Sequence, residues 1–297
     1  MYVFYYAFVY KPLIIVELTN ILENKMQRTP LVTVLPFDGR NVTIEQTEER
    51  PHINENLRDY NERVWAVKEA EGGFNSWVPL VSSITYGEED VTIQAGAIPY
   101  SDTIGSSRAV REGKDFAPDL LPCLSVGVFP ITSDKYLFIS RRSPSIETYP
   151  SVWNVPGGYM NSGLFAGRER CSEEEFAEDP RLYDIREQAR LRITEQEFKH
   201  LPEGAFRLRD TPSALSYEHL RKTDGTPIPW EMEIGWVVDF PNMTREELQR
   251  YINEHMISPG KKEHDDFQQV HVDQLESLIA YQEELIGVDP VDYDVTD

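Results

Sequence analysis

The sequence predicts an α+β fold, a mixed sheet sandwiched between helices and preceded by a smaller α+β unit. Short apolar runs bounded by turn residues recur from Leu31 to Val272. Between them lie a few segments whose apolar residues return at helical spacing. The chain has 297 residues and is 40% hydrophobic, enough to bury two small cores or one core with an elaborate extension.

The elements follow in order. Leu31 to Leu35 and Val42 to Glu45 read as strands around the turn Asp38-Gly39. Ile53, Leu57, Tyr60, Val64 and Val67 mark one face of a helix that Gly72-Gly73 ends. Val81 to Tyr86 and Val91 to Gln94 alternate across Gly87 as a hairpin. A short polar helix is expected near Ser107 to Glu112, and Asp115 to Pro122 reads as a connector. Leu124 to Ile131 is a buried-type strand, turned at Thr132-Ser133-Asp134 and answered by Tyr136 to Ser140, with Arg141-Arg142-Ser143 closing it. Asp179 as N-cap and Pro180 at the first helical position start a helix expected to run to Ile193. Phe206 to Leu208, Ile234 to Phe240 and Gln268 to Val272 read as strands. Thr244 caps a helix reaching His255, and Asp273 caps a last helix through Leu285. The expected layout is an apolar leader over 1–25, an α+β unit over 26–118, the main domain over 119–288 and an acidic tail over 289–297.

Charge narrows the partners. Fifty-one acids against 29 bases give a formal net charge of -22, and such a surface repels a phosphate backbone, so nucleic acid is not an expected partner. That excess, with lysine scarce beside arginine, suits either a high-salt source or an ordinary acidic cytosolic protein. Cys123 and Cys171 form neither a metal-ligand spacing nor a disulfide framework, which fits a reducing, cytoplasmic setting. Met1 to Val16 is apolar and aromatic but lacks a basic n-region and a cleavage site. It is also short of the ~20 apolar residues of a spanning helix and is broken by Pro12. The reading is an upstream start with Met26 as the native one; a weak membrane anchor is the alternative.

One stretch carries chemistry. Trp153-Asn154-Val155-Pro156-Gly157-Gly158 closes a strand on a glycine turn, and Arg186-Glu187 follows within a helical run. These residues resemble the Nudix superfamily. Its box runs Gly, five residues, Glu, seven residues, Arg-Glu, an apolar residue, one more, Glu-Glu, one residue and Gly. Here the box is degenerate. The first glutamate becomes Leu164, the linker to Arg186 is about 14 residues longer, the later glutamates become Arg190 and Leu191, and the late glycine becomes Ile193. The N-terminal unit, Gly96 to Gly105, the Arg-Arg-Ser strand end and the long insertion resemble the members that hydrolyse UDP-glucose and UDP-galactose.

The resemblance implies a Nudix α/β/α sandwich and hydrolysis of a nucleoside diphosphate linked to a sugar, giving a nucleoside monophosphate and a sugar phosphate. Divalent cations, Mg2+ or Mn2+, would offset the diphosphate charge and activate water. Glu187 and Asp184, three apart on one helical face, would hold the ion, and Glu187 and Glu263 would be catalytic. Gly157, Gly158, Arg141, Arg142, Arg186 and Arg190 would bind the nucleotide-type ligand. Glu173, Glu174, Glu175, His264, Asp265 and Asp266 are further acids or bases that could be recruited, each with a plainer reading as solvated surface.

The departures also support a second reading. A guanidinium about 4 Å from a divalent ion costs several kcal/mol even at an effective dielectric near 20. Arg186 and Arg190, one helical turn apart, could instead grip a phosphate directly with no water activated. The sequence therefore offers an enzyme that has recruited new ligands, or a catalytically degenerate domain that binds a nucleotide or a protein.

Overall fold

The computed structural model describes residues 32–34, 39–48, 53–70, 73, 75–114, 122–143, 153–164, 175, 177–202, 204–221, 227–256 and 264–274. Its strands are β1 (Val32–Val34), β2 (Asn41–Gln46), β3 (Trp77–Tyr86), β4 (Asp90–Pro99), β5 (Cys123–Thr132), β6 (Tyr136–Arg142), β7 (Trp153–Asn154), β8 (Gly157–Tyr159), β9 (Arg207–Leu208), β10 (Ala214–Arg221), β11 (Pro227–Phe240) and β12 (His264–His271). Among the described residues the α-helices are α1 (Glu55–Ala70), α2 (Tyr100–Arg111), α3 (Ile185–Leu191) and α4 (Arg245–His255). The chain is mixed α+β, as expected. Among the described residues no helix is long and apolar enough to cross a membrane. The leader over 1–25, Cys171, Glu173, Glu174, Glu263, the last helix beyond Gln274 and the acidic tail lie outside the described residues.

Two compact units emerge. The larger holds Thr29–Val128 and Pro156–Val238. Its strand order is β1-β10-β11-β5-β3-β4-β2, with β8 also on β5 and β9 on β11. Most pairs are antiparallel, but β2 runs parallel to β4, so the sheet is mixed. β1 pairs with β10, Val32 facing Glu218 and Val34 facing Ser216. β5 is the buried spine, every residue from Cys123 to Thr132 being shielded from solvent. Burial pushes the Cys123 thiol far up, so it is a packing group here.

α1 and α2 pack through Leu57, Tyr60, Val64, Ile104 and Ala109. Asn54 caps α1, its Oδ1 accepting from Leu57 N at 2.9 Å. The helices come close at Gly105, where a Cβ would lie 2.7 Å from Asn61 Cα. Asn61 is buried beside it and donates from Nδ2 to Asp102 Oδ1 at 3.1 Å.

The smaller unit holds the described residues of Phe129–Val155 and Asp239–Asp297. There β6 is flanked by β12 and β7 and meets the end of β5 at Leu137 opposite Ile131. α4 starts on a capping box, Thr244 N donating to Glu247 Oε2 at 2.8 Å and Thr244 Oγ1 accepting from Glu247 N. Asp134 Oδ1 accepts from Arg245 N at 3.0 Å, and the Arg245 guanidinium lies 4.7 Å above the Tyr136 ring. These contacts tie the β5–β6 turn to the start of α4.

Three sequence expectations need correction. The helix expected near Ser107 to Glu112 begins at Tyr100, because its first amides are met by residues outside it: Tyr100 N donates to Ser76 O at 2.7 Å and Ser101 N to Asn75 Oδ1 at 3.0 Å. The helix expected from Pro180 to Ile193 is not continuous. A 3-10 turn, Pro180–Leu182, is capped by Asp179; Asp184 then caps α3 afresh, and a π turn, Arg192–Glu197, follows. Strand β10 was not anticipated at all, since its Ser, Glu, His and Arg residues blur the alternation.

Gly105→Ala should cost about 1–3 kcal/mol of stability by overpacking the α1–α2 contact, measured as a lower urea midpoint. A second expectation concerns pH. Burial raises the Asp102 carboxyl above its ordinary range, against the Asn61 hydrogen bond and the Arg58 charge. The folded state therefore holds this proton more tightly than the unfolded chain. Its contribution falls as pH rises from the ordinary carboxylate range through the raised value. Asp102→Asn should thus raise the melting temperature at pH 7 and lose that advantage at acid pH; a lower melting temperature at pH 7 would contradict it.

Candidate functional site

The glycine turn sits on the buried spine. β8 runs antiparallel to β5, with Gly157 opposite Gly127, Gly158 opposite Val126 and Tyr159 opposite Ser125. Val128 N donates to Pro156 O at 2.8 Å and Met160 N to Leu124 O at 2.9 Å, extending the pairing beyond both ends of β8. Gly157 is required by space: a Cβ there would meet Val126 O at 2.6 Å and Gly127 Cα at 3.0 Å. Gly158 is required by conformation, with φ at +156°.

α3 and the π turn face this strand. Gln188, buried, grips the backbone just beyond β8: its Oε1 accepts from Asn161 N at 3.0 Å, and its Nε2 donates to Asn161 O at 3.3 Å and to Arg181 O at 3.1 Å. Arg192, four residues on and also buried, donates from Nη2 to Tyr159 O at 2.6 Å and from Nη1 to Gln196 Oε1. The turn and the helix bearing Arg186-Glu187 are therefore brought together. The sequence reading missed Gln188 and Arg192. Their signal was present as two long polar side chains at i and i+4, in line with the buried face formed by Ile185, Ala189 and Leu191.

The outer face of α3 carries the retained box residues. Arg190 forms a fork on Glu187, Nε to Oε2 and Nη2 to Oε1, both at 2.7 Å. This hydrogen-bonded fork, more than the charges of Arg190 and Arg181, holds the Glu187 carboxyl below its ordinary range. Glu187 in turn pushes Arg190 up. Asp184 spends Oδ1 on the Glu187 amide at 2.9 Å as the N-cap. Arg186 is half exposed and reaches Asp210 through two long bonds, Nη1 to the backbone O at 3.2 Å and Nη2 to Oδ1 at 3.4 Å. It is the most loosely engaged of the three arginines on this stretch of helix.

A divalent cation does not fit the donors gathered here. Both oxygens of Glu187 face a guanidinium, and Asp184 is engaged in capping. Among the described residues no group of three or more His, Cys, Asp or Glu side chains could hold a metal ion. Glu263 lies outside the described residues. Arg141 and Arg142 belong to the smaller unit, half-buried on β6, where Arg141 pairs in register with Asp266 and Trp153 and Arg142 with His264.

No family model matches the chain, and no curated protein matches it. Among solved structures, one that matches is a bifunctional NMN adenylyltransferase/ADP ribose pyrophosphatase from Francisella tularensis, at 13% identity and a TM-score of 0.24. The match covers 61% of this chain and 45% of that one, less than half of the other protein's length. At that TM-score the likeness decides nothing about fold or function.

Proposed function

We propose that the larger unit is a Nudix-like domain with a degenerate metal site, one that binds a nucleotide-type phosphate ligand without hydrolysing it. The observation that carries this reading is the fork between Arg190 and Glu187. Arg190 stands where the resemblance expects a metal-facing glutamate, and it covers both oxygens of the one glutamate kept in register. A cation brought here would have to displace a bidentate guanidinium and then sit beside it, which is unfavourable by several kcal/mol at an effective dielectric near 20. An anion meets the opposite balance. Arg186 is half exposed and held only by long bonds, so its planar fork can turn toward a phosphate at small cost.

The competing reading is the hydrolase that the resemblance implies, acting on a nucleoside diphosphate sugar with Mg2+ or Mn2+ and drawing on Glu263. The glycines are weaker support for it than the sequence alone suggests. Gly157 is explained by the backbone of β5 and Gly158 by its own φ, with no ligand invoked.

Titration of UDP and UDP-glucose by calorimetry, with EDTA or with Mn2+, separates the two. Saturable binding that the chelator leaves unchanged, with no UMP released, is expected. Arg186→Ala should weaken it about tenfold, the loss of one charge-assisted hydrogen bond. Release of UMP that Glu187→Gln abolishes would establish the hydrolase instead. Restoring the family's acid is a second check. Arg190→Glu should free Glu187 and give α3 two carboxylates one turn apart. Mn2+ binding, followed by electron paramagnetic resonance, should then appear where the parent chain shows none. Equal Mn2+ affinity in the parent would count against the proposal.

A further inference from the structure

β2 ends the strand order of the larger unit, and among the described residues its backbone pairs with β4 alone. The pairing is parallel and regular, from Asn41 opposite Asp90 to Gln46 opposite Ala95. Just beyond the strand, Thr47 N donates to Ala95 O at 2.9 Å. Backbone groups alternate in direction along a strand. Asn41, Thr43 and Glu45 therefore direct theirs at β4, and Val42, Ile44 and Gln46 turn theirs outward.

Open edges are ordinarily guarded by lysine, proline, a bulge or shortness. β1, at the opposite end of the order, has three residues, and β12 carries His264, Asp265 and Asp266. β2 has six residues, no lysine, no proline and no register shift, and Glu45 is its single charge. In a chain at -22 that edge is unusually neutral. Val42 and Ile44 are only half-buried on one face, while Asn41, Thr43 and Glu45 are exposed on the other.

The strand also complements itself. Laid antiparallel against a second copy, with Thr43 on the two-fold axis, Val42 meets the partner's Ile44. Both have outward backbone groups, so each such pair exchanges both of its hydrogen bonds. Their apolar side chains then close over one face. On the other face Asn41 meets the partner's Glu45, an amide donor against a carboxylate, and Thr43 meets the partner's Thr43. Glu45 is held on that face by Gln94, whose Nε2 donates to Oε2 at 2.5 Å. No like charges stand opposite each other. A slip of one residue would run the apolar face of one copy into the polar face of the other.

We propose that β2 is a self-association edge: two copies of this chain join through antiparallel β2 strands centred on Thr43, making one continuous sheet. The contact is isologous and short, so it is weak and reversible. The net charge of each copy opposes it, so salt strengthens it. Gln46 Nε2 donates to Ala177 O at 3.2 Å, so the edge adjoins the segment entering the turn before α3.

Sedimentation equilibrium of the full chain, over a range of protein concentrations in low and high NaCl, reads the association. A monomer–dimer equilibrium is expected, about tenfold tighter at high salt. Thr43→Lys sets two cations face to face on the axis. It should stay folded by circular dichroism and weaken the dimer by more than about tenfold. A crosslink reads the register. Opposite residues of a non-hydrogen-bonded pair lie about 4.5 Å apart at Cα, within the span of a disulfide. With oxidised glutathione as the oxidant, Thr43→Cys in a Cys171→Ser background should give a disulfide-linked dimer, and Glu45→Cys in the same background should not. A parent that stays monomeric in high salt at every concentration overturns the proposal. So does a dimer that a folded Thr43→Lys leaves intact, since its contact then lies elsewhere. Should Thr43→Lys fail to fold, the crosslink decides: a disulfide through Thr43→Cys alone upholds the register, and equal crosslinking at both positions, or at neither, removes it.

Discussion

The contact between the inward face of α3, with its π turn, and the backbone at the glycine strand is what the candidate site depends on. Gln188 holds Asn161 from both sides of its peptide, and Arg192 holds Tyr159 O. These are side chain to backbone bonds in a buried setting, where an unmet donor or acceptor costs about 1–3 kcal/mol. The helix is therefore fixed in rotation as well as in position. That rotation leaves Arg186, Glu187 and Arg190 partly or largely exposed on the outer side. Were the inward face purely apolar, the helix could slide or roll by small amounts at little cost.

Electrostatics then determines what the outer face can do. One carboxylate and one guanidinium in a fork form a self-sufficient pair, close to neutral and already hydrogen-bonded. The acidic chain as a whole, at -22, would draw cations to its surface, yet this stretch is a local exception, with Arg186, Arg190 and Arg192 within seven positions. Global and local charge thus point in opposite directions. A site for an anion is more specific on a surface that repels anions elsewhere.

Much of the fold was legible because burial writes itself into the pattern. β5 reads as an unbroken apolar run because both its faces are covered, and the capping box at Thr244 and Glu247 was visible as residue types at a fixed spacing. α1 was legible from Leu57, Tyr60 and Val64 on its buried face, whereas Ile53 precedes the helix and Val67 lies exposed on it. The start of α2 was not, because its cap comes from Asn75 and Ser76, far away in sequence. The break at Asp184 was hidden because a second cap follows the first so closely that the two read as one helix. In the site, the glycine turn and the Arg-Glu pair were found by motif. The pairing of Arg190 with Glu187 was inferred only as a clash with a metal, although an i, i+3 acid–base pair on a helix is itself a familiar attraction. Gln188 and Arg192 stayed out of view since polar residues on a helix are ordinarily assigned to water, and only the position of β8 shows otherwise.

The pairing of β1 with β10 has a consequence for the order in which the chain matures. Val32 finds its neighbour in Glu218, and Val34 in Ser216. During synthesis the first strand must wait until nearly the whole of the larger unit has left the ribosome before its edge is covered. Loop closure over so long a span is slow, and an uncovered apolar strand invites the wrong neighbour in the interval. The nascent chain thus has a long window in which a holding chaperone would be useful, and β10 is the segment whose arrival ends it.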